Sequence, residues 1–248
     1  MPERVARNLQ RVVFDLANLL AIDPVKRDRK KLHATFILAP ASTVATAEQL
    51  EDVIRRMTES STNDPPAELA KLLVDLSDRC ESSISIDRPA DAGGAVITLH
   101  GLQPEPLNAL FDATKEYRIA AYDVNLKRLY NSHGSASVRV FLGGKVVIPY
   151  ATAQLLDHVV RNPKWPDPDA PFVIIDRDDP GDGEYYVQTY LNDGGSYSLE
   201  YRDGSAERHY GCETSDPGVV SDAMWSWVVG DYRRLREMAR WEFVDCDE

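Results

Sequence analysis

The chain has 248 residues, of which 43% are hydrophobic and 27% charged, and its formal net charge is −12. That balance excludes a disordered polymer and suits a globular protein with one large core or two smaller ones. No run approaches the roughly 20 continuous apolar residues of a membrane helix, and the acid excess disfavours nucleic-acid phosphates and anionic membranes as partners.

The first predicted element is a helix over 5–20, where Val5, Leu9, Val12, Val13, Leu16, Leu19 and Leu20 recur at helical spacing until Asp23-Pro24 ends it. Glu3, Arg4, Arg7, Arg11 and Asp15 interrupt its apolar positions, so it lacks the core of a secretory signal and the expected location is the cytoplasm. The basic cluster Lys26, Arg27, Arg29, Lys30 and Lys31 leads into a strand over 33–38. Helices are expected over 47–58 and 66–79, divided by the polar stretch 60–65. Strands over 83–86 and 95–99 flank a Pro/Asp/Gly turn, and a helix over 106–117 precedes a strand over 118–123.

The small, polar run Asn131-Ser132-His133-Gly134-Ser135 is the best internal boundary. It gives an N-terminal mixed α/β layer domain over 1–131, whose role the sequence does not define, and a second domain over 132–248. The acidity is uneven: 1–131 holds 17 Lys and Arg against 19 Asp and Glu, and 132–248 holds 11 against 21, so the parts carry −2 and −10.

The second part opens with a hairpin, 137–142 and 145–149 around Gly143-Gly144. A helix over 151–161 and a proline-rich connector over 162–168 follow. Strands over 172–176, 184–192, 196–202 and 207–211, joined by short turns, read as an antiparallel meander. A helix over 217–229 with Val220, Met224, Trp227 and Val228 on one side should cover it, before a basic helical turn and a last strand over 240–244. The expected fold class is therefore α+β.

The chemistry-bearing residues form no known catalytic signature. His33, His100, His133, His158 and His209 fall in different elements without metal-ligand spacing, and the glycines form no phosphate-binding loop, so no metal and no cofactor are expected. Cys80, Cys212 and Cys246 lie far apart and read as free thiols. Cys212 near His209 and Glu213 admits a nucleophile-and-base reading, with an inert strand cysteine as the plainer one.

Between 176 and 184 five carboxylates crowd nine positions: Asp176, Asp178, Asp179, Asp182 and Glu184. Pro180 and the flanking strands depart from a calcium loop, leaving a solvated hairpin tip or an acidic contact for a cationic surface. Alternation puts Tyr186 and Tyr190 on one sheet face and Tyr185, Val187 and Thr189 on the other. Asp176, Asp178, Asp179, Asp182, Glu184, Tyr186 and Tyr190 are thus the candidate partner-binding residues, with tyrosine supplying contact area.

The runs Tyr186-Val187-Gln188-Thr189-Tyr190-Leu191-Asn192-Asp193, Tyr197-Ser198-Leu199-Glu200-Tyr201-Arg202-Asp203-Gly204 and Glu207-Arg208-His209-Tyr210 give 171–244 a strand and turn pattern. That pattern resembles actinobacterial immunity-type proteins of polymorphic toxin systems. The resemblance implies a cytoplasmic immunity protein that binds a cognate basic toxin and occludes its active surface. Two other readings stay open: an enzyme using meander carboxylates as general acid and base, and a scaffold or regulatory binding protein.

Overall fold

The computed structural model describes residues 33–44, 66–88, 93–101, 103–177 and 184–244. The helices expected over 5–20 and 47–58 lie outside them. The chain divides into two compact units, with the division between His133 and Gly134.

In the first unit, β1 (His33–Pro40), β2 (Ile84–Arg88), β3 (Ala95–His100), β4 (Ile119–Asp123) and β5 (Arg128–Tyr130) form an antiparallel sheet in the order β2-β3-β1-β4-β5. Helices α1 (Ala67–Cys80) and α2 (Pro104–Glu116) pack against each other beside it. Helix α1 buries Leu69, Leu72, Leu76 and Cys80, a stripe at helical spacing, and α2 buries Leu107, Leu110, Phe111 and Thr114 in the same way. Pro104 starts α2 because a first-turn position needs no N–H partner. Strand β4 begins at Ile119 and not at 118, since Arg118 takes a left-handed φ of 54° that no strand residue adopts.

Strand β1 is buried on both faces. Phe36 and Leu38 are 0% exposed on one side, while Ile37 at 4% and Ala39 at 0% enter a second cluster with Ala120, Val124 and Leu129 on the other. A strand shielded on both sides must be apolar without alternation, which is how Phe36-Ile37-Leu38-Ala39 reads.

Strand β5 was not anticipated. Asp123 Oδ1 accepts from the backbone N–H of Asn125 and Leu126 at 2.8 and 2.9 Å, and this side-chain turn, closed by Lys127 at φ 53°, folds the chain back onto β4. The return buries Arg128, which donates to the Tyr130 hydroxyl at 3.3 Å. Burial raises the Tyr130 phenol well above its ordinary range.

The second unit holds a seven-stranded antiparallel sheet: β6 (Val138–Leu142), β7 (Val146–Ile148), β8 (Phe172–Arg177), β9 (Glu184–Leu191), β10 (Tyr197–Gly204), β11 (His209–Thr214) and β12 (Glu242–Phe243). The order β12-β11-β10-β9-β8-β6-β7 makes β8 to β11 a four-stranded meander, with the β6–β7 hairpin added at one edge and β12, returning after two helices, at the other. Gly143 and Gly144, at φ 58° and 69°, supply the two left-handed residues of the β6–β7 turn. Strand β11 starts two residues later than its sequence pattern implies, because Ala206–Arg208 form a 3-10 turn.

Alternation assigns the faces. Val140, Leu142, Val173, Ile175, Val187, Thr189, Leu199 and Tyr201 are buried on the inner face. Helices α3 (Ala153–Arg161), α4 (Pro217–Val228) and α5 (Tyr232–Met238) serve that face. Thr152 and Asp216 cap α3 and α4 by accepting from Leu155 N and Gly218 N, so the chain enters both helices with paired ends. The Tyr197 hydroxyl donates to the Val160 carbonyl at 3.1 Å, tying β10 to α3. The Arg177 guanidinium lies 5.3 Å from the Trp227 ring and 5.5 Å from that of Tyr185, and donates to the Tyr232 hydroxyl at 2.7 Å. Trp227 itself is 0% exposed. Among the described residues no helix is long and apolar enough to cross a membrane.

Candidate functional site

Among the described residues, the helices of the second unit serve the inner face of its sheet, and none packs over the outer face. Strand register stacks it in rungs across β8, β9 and β10. Phe172, Tyr190 and Ser198 form one, Ile174, Gln188 and Glu200 the next, and Asp176, Tyr186 and Arg202 the third. Strand β11 extends the first rung with Glu213, the second with Gly211 and the third with His209. Between the first two rungs lies a depression of about 300 Å³ lined by Phe172, Ile174, Gln188, Thr189, Tyr190, Ser198 and Glu200. That volume is at the small end of ligand pockets, roughly 300–1,000 Å³, and suits a side chain better than a cofactor.

Glu200 is the one charged group in this lining. Its Oε2 accepts from Gln188 Nε2 at 2.8 Å and lies 3.3 Å from His209 Nε2, which in turn is 3.3 Å from the Tyr186 hydroxyl. Gly211 makes the arrangement possible. A Cβ there would sit 2.9 Å from a Val244 methyl and 3.4 Å from Glu200 Cγ, so an unsubstituted position lets the glutamate lie along the sheet. His209 is 4% exposed, stands in the third rung outside the lining of the depression, and meets the carboxylate from there.

The sequence candidates fall into three groups. Tyr186 and Tyr190 do share the outer face, Tyr190 exposed at 44% and Tyr186 half-buried against His209 with ring centroids 5.9 Å apart. Asp176 is in the rung of Tyr186, but it already has a cation: Arg139 on β6 donates to both of its oxygens at 2.9 Å. Asp178, Asp179 and Asp182 lie outside the described residues. Glu184 opens β9 opposite Gly204, and its side chain lies outside them too.

Phe172, Ile174, Gln188, Ser198 and Glu200 were not singled out as site residues, and His209 was weighed only as a base for Cys212. Even numbering was their signal: 172 and 174, 188 and 190, 198 and 200 have the parity that alternation assigns to the outer face. Cys212 and His209 are separated by the same rule. Cys212 pairs with Leu199 on the inner face, and burial pushes its thiol up to about 11. A protonated thiol turned away from the histidine is not an activated nucleophile. Among the described residues, no three His, Cys, Asp or Glu side chains gather as a metal ion would require.

Comparison with models of known protein families, with curated proteins and with solved structures finds no match to this chain.

Proposed function

We propose that this chain is a binding protein of the immunity type, which neutralises a basic toxin by covering its active surface with the outer face of the second sheet. The observation that carries the reading is the contrast between the faces of that sheet. The inner face is packed under helices, while the outer one sets half-exposed Phe172, Ile174 and Tyr186 and exposed Tyr190 around an open depression. Aromatic groups amid polar ones are the composition of contact hot spots. The net charge of −10 on 132–248, from 11 basic and 21 acidic residues, supplies long-range attraction for a cationic partner. The resemblance of 171–244 to immunity-type proteins supports the finer part of the reading.

The enzyme reading has one observation in its favour, the Tyr186–His209–Glu200 network, whose groups are able to hold and move a proton. General acid and base catalysis needs two such groups facing one substrate space. Glu200 lines the depression but His209 is nearly enclosed and outside its lining, so contact is the better supported role.

The test is co-expression with the C-terminal domain of a large secreted protein, where one is encoded beside this chain, followed by binding measurements on the purified pair. Growth rescue and a stable complex are expected. Phe172→Ala with Tyr190→Ala should weaken the complex by about tenfold or more. Asp178→Asn, Asp179→Asn and Asp182→Asn combined should slow association and flatten its salt dependence. Absence of both rescue and complex would overturn the reading. An unchanged salt response would confine the contact to the sheet face.

A further inference from the structure

We infer that the depression between β8, β9 and β10 receives an arginine side chain of the partner, with Glu200 as its counter-charge. The inference rests on the reading of this chain as a binder of a basic protein and names the group that is bound.

Three features of the depression select a guanidinium. The first is charge. Of its seven lining residues only Glu200 is ionisable in the ordinary pH range. Arg139 on β6 is committed to Asp176 by two hydrogen bonds of 2.9 Å, and Arg202, one rung from Glu200 on its own strand, forms no ion pair with it. Glu200 keeps 31% of its side-chain surface exposed, so a cation can reach it while part of the pair is desolvated.

The second feature is the arrangement of acceptors. Glu200 Oε2 is occupied by Gln188 and His209, and no other described residue engages Oε1. By donating its amide nitrogen to Glu200, Gln188 fixes its own orientation and keeps its carbonyl oxygen as a second acceptor on the same rung. Ser198 Oγ, across the strand, is held by Asn192 at the edge of the site. A carboxylate oxygen and an amide oxygen side by side match a group that carries several N–H donors and no acceptor.

The third is the wall. Phe172 and Tyr190 stand opposite each other on β8 and β9 and close the first rung with rings. A planar, weakly hydrated guanidinium stacks on such rings while hydrogen-bonding at its edge, whereas a compact ammonium gains less from the wall. The small volume, about 300 Å³, is consistent with one side chain and not a larger ligand.

The inference can be tested without the toxin. The full chain, isotope-labelled, is titrated with acetyl-Gly-Arg-Gly-amide and with its citrulline counterpart, which keeps the shape and removes the charge. Saturable shifts are expected at Gln188, Tyr190, Ser198 and Glu200. Binding should weaken by about tenfold or more with citrulline, and likewise for Glu200→Gln. Glu237→Gln, an exposed acid on α5 and away from the outer face, should leave the titration unchanged. Tyr190→Ala, at an exposed position, provides a second variant should Glu200→Gln alter the spectrum of the whole unit. Absence of saturable shifts, or equal response to citrulline, would overturn the inference. With the toxin domain, unchanged affinity of Glu200→Gln would overturn the arginine site and leave the binding role standing. A peptide that binds to a chain with no affinity for the toxin would do the reverse.

Discussion

The two sheets use hydrophobic residues in different ways. Strand β1 of the first unit runs Phe36, Ile37, Leu38 and Ala39 with no side facing water, and strand β10 of the second alternates buried Tyr197, Leu199 and Tyr201 with half-exposed Ser198, Glu200 and Arg202. A strand of the first kind has both faces committed to packing. A strand of the second kind commits one and leaves the other free to acquire polar, aromatic and charged groups under a different selection. The contact surface is therefore expected where the alternation is cleanest, and the first unit's central strand is expected to answer only to stability.

The sharpest way to break this comparison is to remove a side chain on which the inner face depends. Trp227→Ala should cost about 3–5 kcal/mol, because the indole is fully enclosed and sits against Arg177. Denaturant unfolding monitored at an inner-face probe would check it, with a loss under about 1 kcal/mol counting against the assignment of faces. The parity test comes next. Ile37→Ala and Leu38→Ala, neighbours in β1, should each lower stability, by about 2–5 kcal/mol for a large aliphatic residue in a core. In β10 Leu199→Ala should behave likewise, while Ser198→Ala stays within about 0.5 kcal/mol. If Ile37→Ala proved as mild as Ser198→Ala, the doubly buried strand would be wrong.

A smaller effect depends on pH. The Cys212 thiol, raised by burial from 9.0 to about 11, holds its proton in the folded chain where the unfolded chain has lost it. Its contribution to stability is complete below about pH 9 and is lost as pH rises toward 11, so stability should fall across that window and Cys212→Ser should flatten the slope. Alkylation of the native thiol at pH 8 should accordingly be slow, and a rate like that of a free thiol would refute the inner-face position. The smallest effect belongs to the Arg139–Asp176 pair, whose side chains are 45% and 29% exposed. A double-mutant cycle to alanine should give about 0.2–1 kcal/mol, shrinking with added salt. A larger, salt-independent coupling would mean that this end of the outer face is covered.

Much of this architecture was legible in the amino-acid order. Gly143-Gly144 demanded a hairpin, Asp216-Pro217 a helix start, and the tyrosine-rich strands their own alternation. The last strand, expected over 240–244, shrinks to Glu242–Phe243, since it pairs only with Gly211 and Tyr210. Strand β5 escaped notice because Lys127-Arg128 reads as surface, although Asp123 and its side-chain turn were the available sign. The Glu200–His209 contact was hidden for a different reason. The two are diagonal neighbours across a hairpin, brought together by register and by the missing side chain at Gly211, and no local spacing encodes that.

The strands that end the two sheets have a consequence for how any partner can attach. In the first sheet the terminal positions belong to β2, irregular between Ile86 and Arg88, and to the three-residue β5. In the second they belong to the three-residue β7 and the two-residue β12. Among the described residues, the two- and three-residue strands offer an incoming chain few consecutive main-chain groups, and the irregularity in β2 breaks its run, so docking as an extra strand is disfavoured. On the proposed binding role, recognition would be carried by side chains, which makes it specific to one partner's surface and easy to retune by substitution. The same blunted margins, together with the charge of −12, disfavour sheet-to-sheet polymerisation when the chain is made in quantity.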